Sequence, residues 1–202
     1  MKQEYPDLLE ELTKEQIKQG VLIRPPCRFE EVKKGDMTVI LDVAHNPPAM
    51  EYLVRKLQKT YPNSSFRFVA GMSSDKDLGQ CARSLLKVTD PTSIHLVEAA
   101  HPRAAKLEDI LSSEPSLKAS HCNSDDCSIT KQVSNALTFA KERNEVLVIC
   151  GSVFIMSEAR EALGFEEPRD SEYISEMAGA GVRHGQENFG NTTVVMLSLI
   201  HI

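Results

Sequence analysis

The chain has 202 residues, with 23 Lys and Arg against 29 Asp and Glu for a net charge of −6, which argues against a general nucleic-acid binder because phosphate neutralisation needs a basic surface. Hydrophobic residues at 41% and charged residues at 26% are ordinary globular usage, so most of the chain should bury a core, as one domain plus extra segments. No apolar h-region follows Met1 and no run is long enough to cross a bilayer, while five cysteines without framework spacing read as free thiols; together these place the protein, soluble and off the membrane, in a reducing compartment.

In chain order, Leu8, Leu9, Leu12 and Ile17 recur at helical spacing over residues 7–20, with Thr13 and Gln16 as a capping-box pair and Gly20 as a stop. Pro25 and Pro26 forbid continuation. Residues 28–34, the turn Gly35-Asp36 and the apolar run 37–44 read as a hairpin feeding a buried strand. Met50, Leu53, Val54 and Leu57 then have helical spacing, Phe66, Phe68 and Val69 are strand-like, and Leu78, Ala82, Leu85 and Leu86 are helical again. The spacing predicts a strand at 94–97, a short helix at 107–111, a weak strand at 117–121, a long helix at 129–141, a buried strand at 146–150 and a last helix at 154–163 that stops at Gly164. Alternating elements with continuously apolar strands predict an α/β fold, a mostly parallel sheet with helices on both faces. From Pro168 the periodicity disappears, so residues 168–202 are expected to be an irregular or disordered tail outside the core, although 192–202 are apolar and β-prone.

Three strand-to-helix junctions carry polar groups. In Leu41-Asp42-Val43-Ala44-His45-Asn46-Pro47 a carboxylate, an imidazole and an amide stand at the carboxyl end of a buried strand, where parallel α/β sheets bind ligands. Helix capping by Asp42 and Asn46 with Pro47 in the first turn competes with that reading, but leaves His45 without a purpose. Cys150-Gly151-Ser152 is either a close-approach turn for an anionic ligand or an ordinary Ser cap; without a G-x-S-x-G elbow it is no nucleophile motif. Gly71-Met-Ser-Ser-Asp75-Lys76-Asp77 reads as a capped helix start, and Arg28 and Arg103 are loop cations for which solvation competes with anion binding. His121, Cys122 and Cys127 have metal-ligand residue types but no second pair to complete a zinc site. Gly179 to Gly185 has neither the strand nor the helix a phosphate loop requires.

Taken in order and spacing, Thr13-x-x-x-Ile17-x-x-Gly20, Pro26-Cys27-Arg28-Phe29-Glu30, Leu41-Asp-Val-Ala-His-Asn-Pro47, Gly71-x-x-x-Asp75-Lys-Asp77, Pro102-Arg-Ala104 and Cys150-Gly-Ser152 resemble the C-terminal part of the folylpolyglutamate synthase and dihydrofolate synthase family, within the Mur ligase superfamily. The resemblance covers residues 12–165. It implies a Rossmann-like Mur ligase C-terminal domain over 25–167, with 1–24 as the last helix and linker of a central ATPase domain. By carry-over, Asp42 resembles the carboxylate that holds the ribose of ATP, Arg28 the arginine that reaches its phosphates, and His45 with Ser152 the pair lining the site of the incoming glutamate. No catalytic residue and no metal ligand is assigned.

The family reaction implied is activation of a folate or dihydropteroate carboxylate as an acyl phosphate, followed by attack of the glutamate amine. Its cofactors are ATP and Mg²⁺, the metal held mainly by the missing domain. Two departures stand out: Cys27 replaces the glycine of the family's Pro-Gly-Arg, and no G-x-x-x-x-G-K-[ST] loop occurs. The chain is therefore expected to be inactive alone, its partners being the missing ATPase domain and the substrates glutamate and folate or dihydropteroate, in the cytoplasm or, for a full-length form, a mitochondrion or plastid. A non-catalytic nucleotide-binding or partner-docking module is the alternative, distinguished by whether an upstream reading frame supplies the P-loop domain. Arg28, Asp42, His45 and Ser152 are expected to converge on one face.

Overall fold

Chain geometry follows from where the apolar runs alternate. The computed structural model describes residues 25–121 and 128–166, together with Thr13, Lys14 and Gly20; the expected helix at 7–20, the segment from Cys122 to Cys127 and the tail from 168 onward lie outside the described residues. Five strands, β1 (Arg28–Lys34), β2 (Met37–Asp42), β3 (Phe66–Ala70), β4 (Ile94–Leu96) and β5 (Val146–Cys150), form one sheet in the order β1-β2-β5-β3-β4. β1 pairs antiparallel with β2 as the expected hairpin, and the remaining pairs are parallel. Between them run α1 (Pro47–Thr60), α2 (Leu78–Leu86), α3 (Leu107–Ser113), α4 (Ile129–Arg143) and α5 (Met156–Ala162).

Successive residues of a strand point to opposite faces, and the core divides accordingly. Ile40, Phe68 and Val148 pack with Met50, Leu53, Leu57, Leu85 and Ile110 of α1, α2 and α3. Val39, Leu41, Val69, Leu147 and Ile149 pack on the other face with Val133, Ala136 and Ala140 of α4 and Ala159 of α5. The sheet is thus covered on both sides, which is why β3 and β5 are buried along their whole length and β5 reads as an unbroken apolar run.

Two local expectations change. Residues 117–121 are not a strand: Pro115–Ala119 form a 3₁₀ turn anchored by buried Leu117, and only His121 bridges to His95 of β4. Proline at the start of that segment presets φ for a turn, and a single inward residue cannot support a strand face. The last helix is preceded by a 3₁₀ turn, Val153–Ile155, before α5 ends at Gly164 with φ 80°.

One interior group breaks the apolar pattern. Arg67, in the middle of the Phe-Arg-Phe strand, is fully buried; its Nε donates to Glu145 Oε2 at 2.6 Å, and its other nitrogens reach His95 Nε2 at 3.1 Å and Ser93 Oγ at 3.3 Å. A charge this deep is tolerable only when paired and hydrogen-bonded throughout.

Candidate functional site

The carboxyl ends of β2, β5 and β3 are sewn together by backbone bonds. Gly151 N–H donates to Ala44 O at 2.8 Å, and Gly71 N–H donates to Cys150 O at 3.2 Å. The approach is so close that a Cβ at Gly151, where φ is 103°, would lie 2.0 Å from Gly71 O; only glycine fits.

Asp42 closes β2 and does two jobs at once. Its Oδ2 accepts the N–H of Phe29 and its Oδ1 the N–H of Ala44, both at 2.8 Å. The first bond holds β1 in an unusual path, since Cys27 and Phe29 adopt φ of 58° and 52° on either side of Arg28 and the register shifts between Arg28 and Glu30. Cys27 stands in the left-handed region that a glycine favours, the conformation expected of the glycine in the Pro-Gly-Arg that the chain resembles. Burial pushes the Asp42 carboxyl above its ordinary value, against the N–H groups of Ala44 and Phe29 and the charges of Arg28 and Lys56.

His45 Nδ1 lies 2.9 Å from Val43 O. A carbonyl only accepts, so Nδ1 carries the hydrogen, and in that tautomer of the imidazole Nε2 is the acceptor. Asn46 caps α1, its Oδ1 accepting from Ala49 N–H at 3.0 Å, ahead of Pro47 and Pro48. The capping explanation therefore accounts for Asn46 but not for His45, and Asp42 secures the β1 path rather than the helix.

Arg28, Asp42 and His45 line one cavity of about 530 Å³, with Phe29, Tyr52 and Lys56 among its other walls. Ser152 stands apart from that lining. It follows Cys150, which is in register with Asp42, but its side chain is buried: Oγ accepts from Phe154 N–H at 3.2 Å and shares a hydrogen with Ser73 Oγ at 3.4 Å. Three of the four expected residues thus share a cavity, and the fourth, two residues past the end of β5, bonds to Ser73 instead.

Arg103 is on the far flank, exposed, where it pairs with Asp75 at 2.9 Å, and its carbonyl accepts from Ser74 N–H. Lys76 first and Arg103 second hold the Asp75 carboxyl down to about 2, so this pair joins two loops, and Asp77 caps α2. A larger depression of about 710 Å³ lies beside the hairpin turn at Gly35 and Asp36 and the end of α4 at Asn144, at the opposite end of the strands from these groups and lacking their convergent chemistry.

Sequence reasoning missed Phe29, Tyr52 and Lys56 as walls of the cavity. Helical spacing could have found the last two, because 52 and 56 lie one turn apart and away from the buried stripe of Met50, Leu53, Val54 and Leu57. Nothing local announces Phe29. Among the described residues no group of three or more His, Cys, Asp or Glu could hold a metal ion, and no helix is long and apolar enough to cross a membrane.

Comparison with known proteins supplies a context for this geometry. Residues 27–153 match the family model described as Mur ligase, glutamate ligase domain. The dihydrofolate synthase/folylpolyglutamate synthase of Escherichia coli is 32% identical over 138 residues, covering 68% of this chain and 30% of the relative. A ligand-free bifunctional folylpolyglutamate synthase/dihydrofolate synthase from Yersinia pestis superposes with a TM-score of 0.60 at 29% identity, covering 76% of this chain and 36% of that one. A further bifunctional synthase structure, with Mn, AMPPNP and L-glutamate bound, gives 0.60 at 28% identity over 76% of this chain and 36% of that one. The chain spans about a third of the length of the relatives it matches.

Proposed function

Because the chain belongs to the Mur ligase glutamate-ligase domain family, we propose that it is the amino-acid-side domain of an ATP-dependent ligase that joins glutamate to a folate or to dihydropteroate. The observation that carries the reading is the convergence of Arg28, Asp42 and His45, from two strands and a loop, on one cavity at the carboxyl end of the sheet. A half-buried carboxylate there suits a ribose: each oxygen of Asp42 already holds one N–H and keeps a further lone pair for a hydroxyl. Arg28 extends a guanidinium from the strained strand entrance toward the phosphates of the same nucleotide.

On the glutamate side, His45 offers Nε2 as an acceptor for the incoming ammonium group. Ser152 acts indirectly, its hydroxyl fixing the turn at Val153 and Phe154 against Ser73. ATP supplies the phosphoryl group that activates the acceptor carboxylate; what these residues contribute is position, which is most of what phosphoryl transfer and amide formation ask of a protein. Because the chain spans about a third of the length of its relatives, we assign Mg²⁺ and the phosphate-binding loop to the remainder of the ligase.

The test is ADP release with glutamate and a folate acceptor. The purified chain alone should show none, whereas mixing with the separately expressed N-terminal two-thirds of a related synthase should restore glutamate-dependent release. In that mixture His45→Ala should raise the apparent KM for glutamate more than that for ATP. Turnover by the isolated chain above a His45→Ala control, or a His45→Ala effect confined to ATP, would overturn the assignment.

A further inference from the structure

Arg28 is exposed, and among the described residues no hydrogen bond or ion pair holds its guanidinium. Its direction is therefore set by its backbone, which is unusual on both sides, with φ of 58° at Cys27 and 52° at Phe29. We propose, resting on the nucleotide reading above, that the ion pair between Glu30 and Arg160 of α5 is a positioning pair that holds Arg28 toward the phosphates of the bound nucleotide. Non-glycine residues stay in the left-handed region only where their surroundings over-determine it. For Phe29 the holding group is Asp42, in the cavity itself. For Cys27 it is Glu30, outside the cavity lining, whose Oε2 accepts the Cys27 N–H at 2.8 Å while Cys27 O accepts from Val43 N–H at 2.9 Å.

Glu30 is in turn held from a distance. β1 is an edge strand, paired on one side by β2 alone, so no second strand fixes its entrance. Arg160, 130 positions further along the chain, supplies that restraint: its Nη1 reaches Glu30 Oε1 at 2.8 Å and Oε2 at 2.6 Å. The guanidinium also lies over the Phe165 ring, 4.2 Å from the centroid, and is gripped from two sides. The Arg160 side chain is 13% exposed, against 57% for Arg83 in its 3.4 Å pair with Glu114. A pair as open as the second fixes little, whereas one withdrawn from water and charge-assisted fixes geometry. Burial pushes the Glu30 carboxyl up, but the Cys27 N–H and then Arg160 outweigh it and leave the carboxyl below its ordinary value. Arg160 itself stands on the helix that follows the Ser152-capped turn, so the pair ties the end of β5 to the entrance of β1.

The experiment measures two things on the 202-residue chain: its affinity for tripolyphosphate and, without ligand, the intraresidue HN–Hα NOEs of Cys27 and Phe29, which are strongest at positive φ. The variants are Arg28→Ala, Arg160→Met, both together, Arg160→Lys and, as a control ion pair, Arg83→Met. Arg28→Ala should weaken tripolyphosphate about tenfold and Arg160→Met about fivefold, the latter with loss of the strong Cys27 NOE. The double variant should bind no more weakly than Arg28→Ala, because Arg160 acts only through Arg28. Arg160→Lys should keep most of the affinity and Arg83→Met all of it. If Arg160→Met does not fold, Glu30→Gln, which keeps an oxygen for the Cys27 N–H but loses the ion pair, carries the same cycle with Arg28→Ala. Additive losses in the double variant, or an Arg160→Met chain that keeps either the Cys27 NOE or the native affinity, would overturn the positioning role and leave the nucleotide reading of Arg28 standing. Native affinity in Arg28→Ala, or no tripolyphosphate binding by the native chain at millimolar ligand, would remove that reading and the proposal with it.

Discussion

Lowering the pH should loosen this fold through one buried imidazole, His95, well before the carboxylates are spent. The ring is fully buried and its two nitrogens are both committed. Arg67 has only donors, so His95 Nε2, 3.1 Å away, accepts; Nδ1 therefore carries the hydrogen and donates to Gln132 Oε1 at 3.0 Å. A second proton would have to enter at Nε2, facing the guanidinium, with His121 stacked at 4.4 Å. Burial first, then His121 and Arg67, push the pKa from 6.5 down to about 4, against the bond to Gln132.

The unfolded chain thus takes up this proton near pH 6.5 while the folded one resists it to about pH 4. Stability from this group is complete above the unfolded value and is lost as pH falls through that window. At ~1.4 kcal/mol per pH unit the fall from 6.5 to about 4 is worth at most ~3.5 kcal/mol. Urea midpoints measured from neutral pH to about pH 4, for the native chain and for His95→Gln, isolate the effect as the difference in slope, whatever the variant's own stability. Parallel pH profiles, or a His95 ring resonance that titrates with an ordinary histidine midpoint, would refute the reasoning.

Gly151→Ala should cost ~3 kcal/mol or more, because its Cβ would lie 2.0 Å from Gly71 O at a φ of 103°; a thermal melt indistinguishable from the native chain's would contradict the close approach. Cys27→Gly should leave stability within about 1 kcal/mol, relief of the left-handed φ of 58° offsetting the loss of a buried thiol. A loss of several kcal/mol in urea would mean that Cys27 contributes through its contacts and not merely its backbone path.

The order of strands and helices was legible because each element carries its own period. Val39 to Leu41 and Val146 to Cys150 are runs too apolar to face water, Met50, Leu53, Val54 and Leu57 mark a single helical stripe, and Asn46, Asp77 and Ser128 stand where caps belong. The motif residues could also be placed at strand ends from spacing alone. What the sequence could not decide was anything set by distance across the sheet. β5 lies between β2 and β3, and that insertion brings Gly151 against Gly71 and turns the Ser152 hydroxyl to Ser73, beyond β3, instead of into the lining of the Arg28–Asp42–His45 cavity. Arg67 has the sequence neighbourhood of an exposed strand residue; its burial depends on Glu145, His95 and Ser93, which reach it only once three strands have paired. Period and capping are local energies that a short segment expresses by itself, whereas desolvation and hydrogen-bond pairing depend on neighbours that only the assembled sheet supplies.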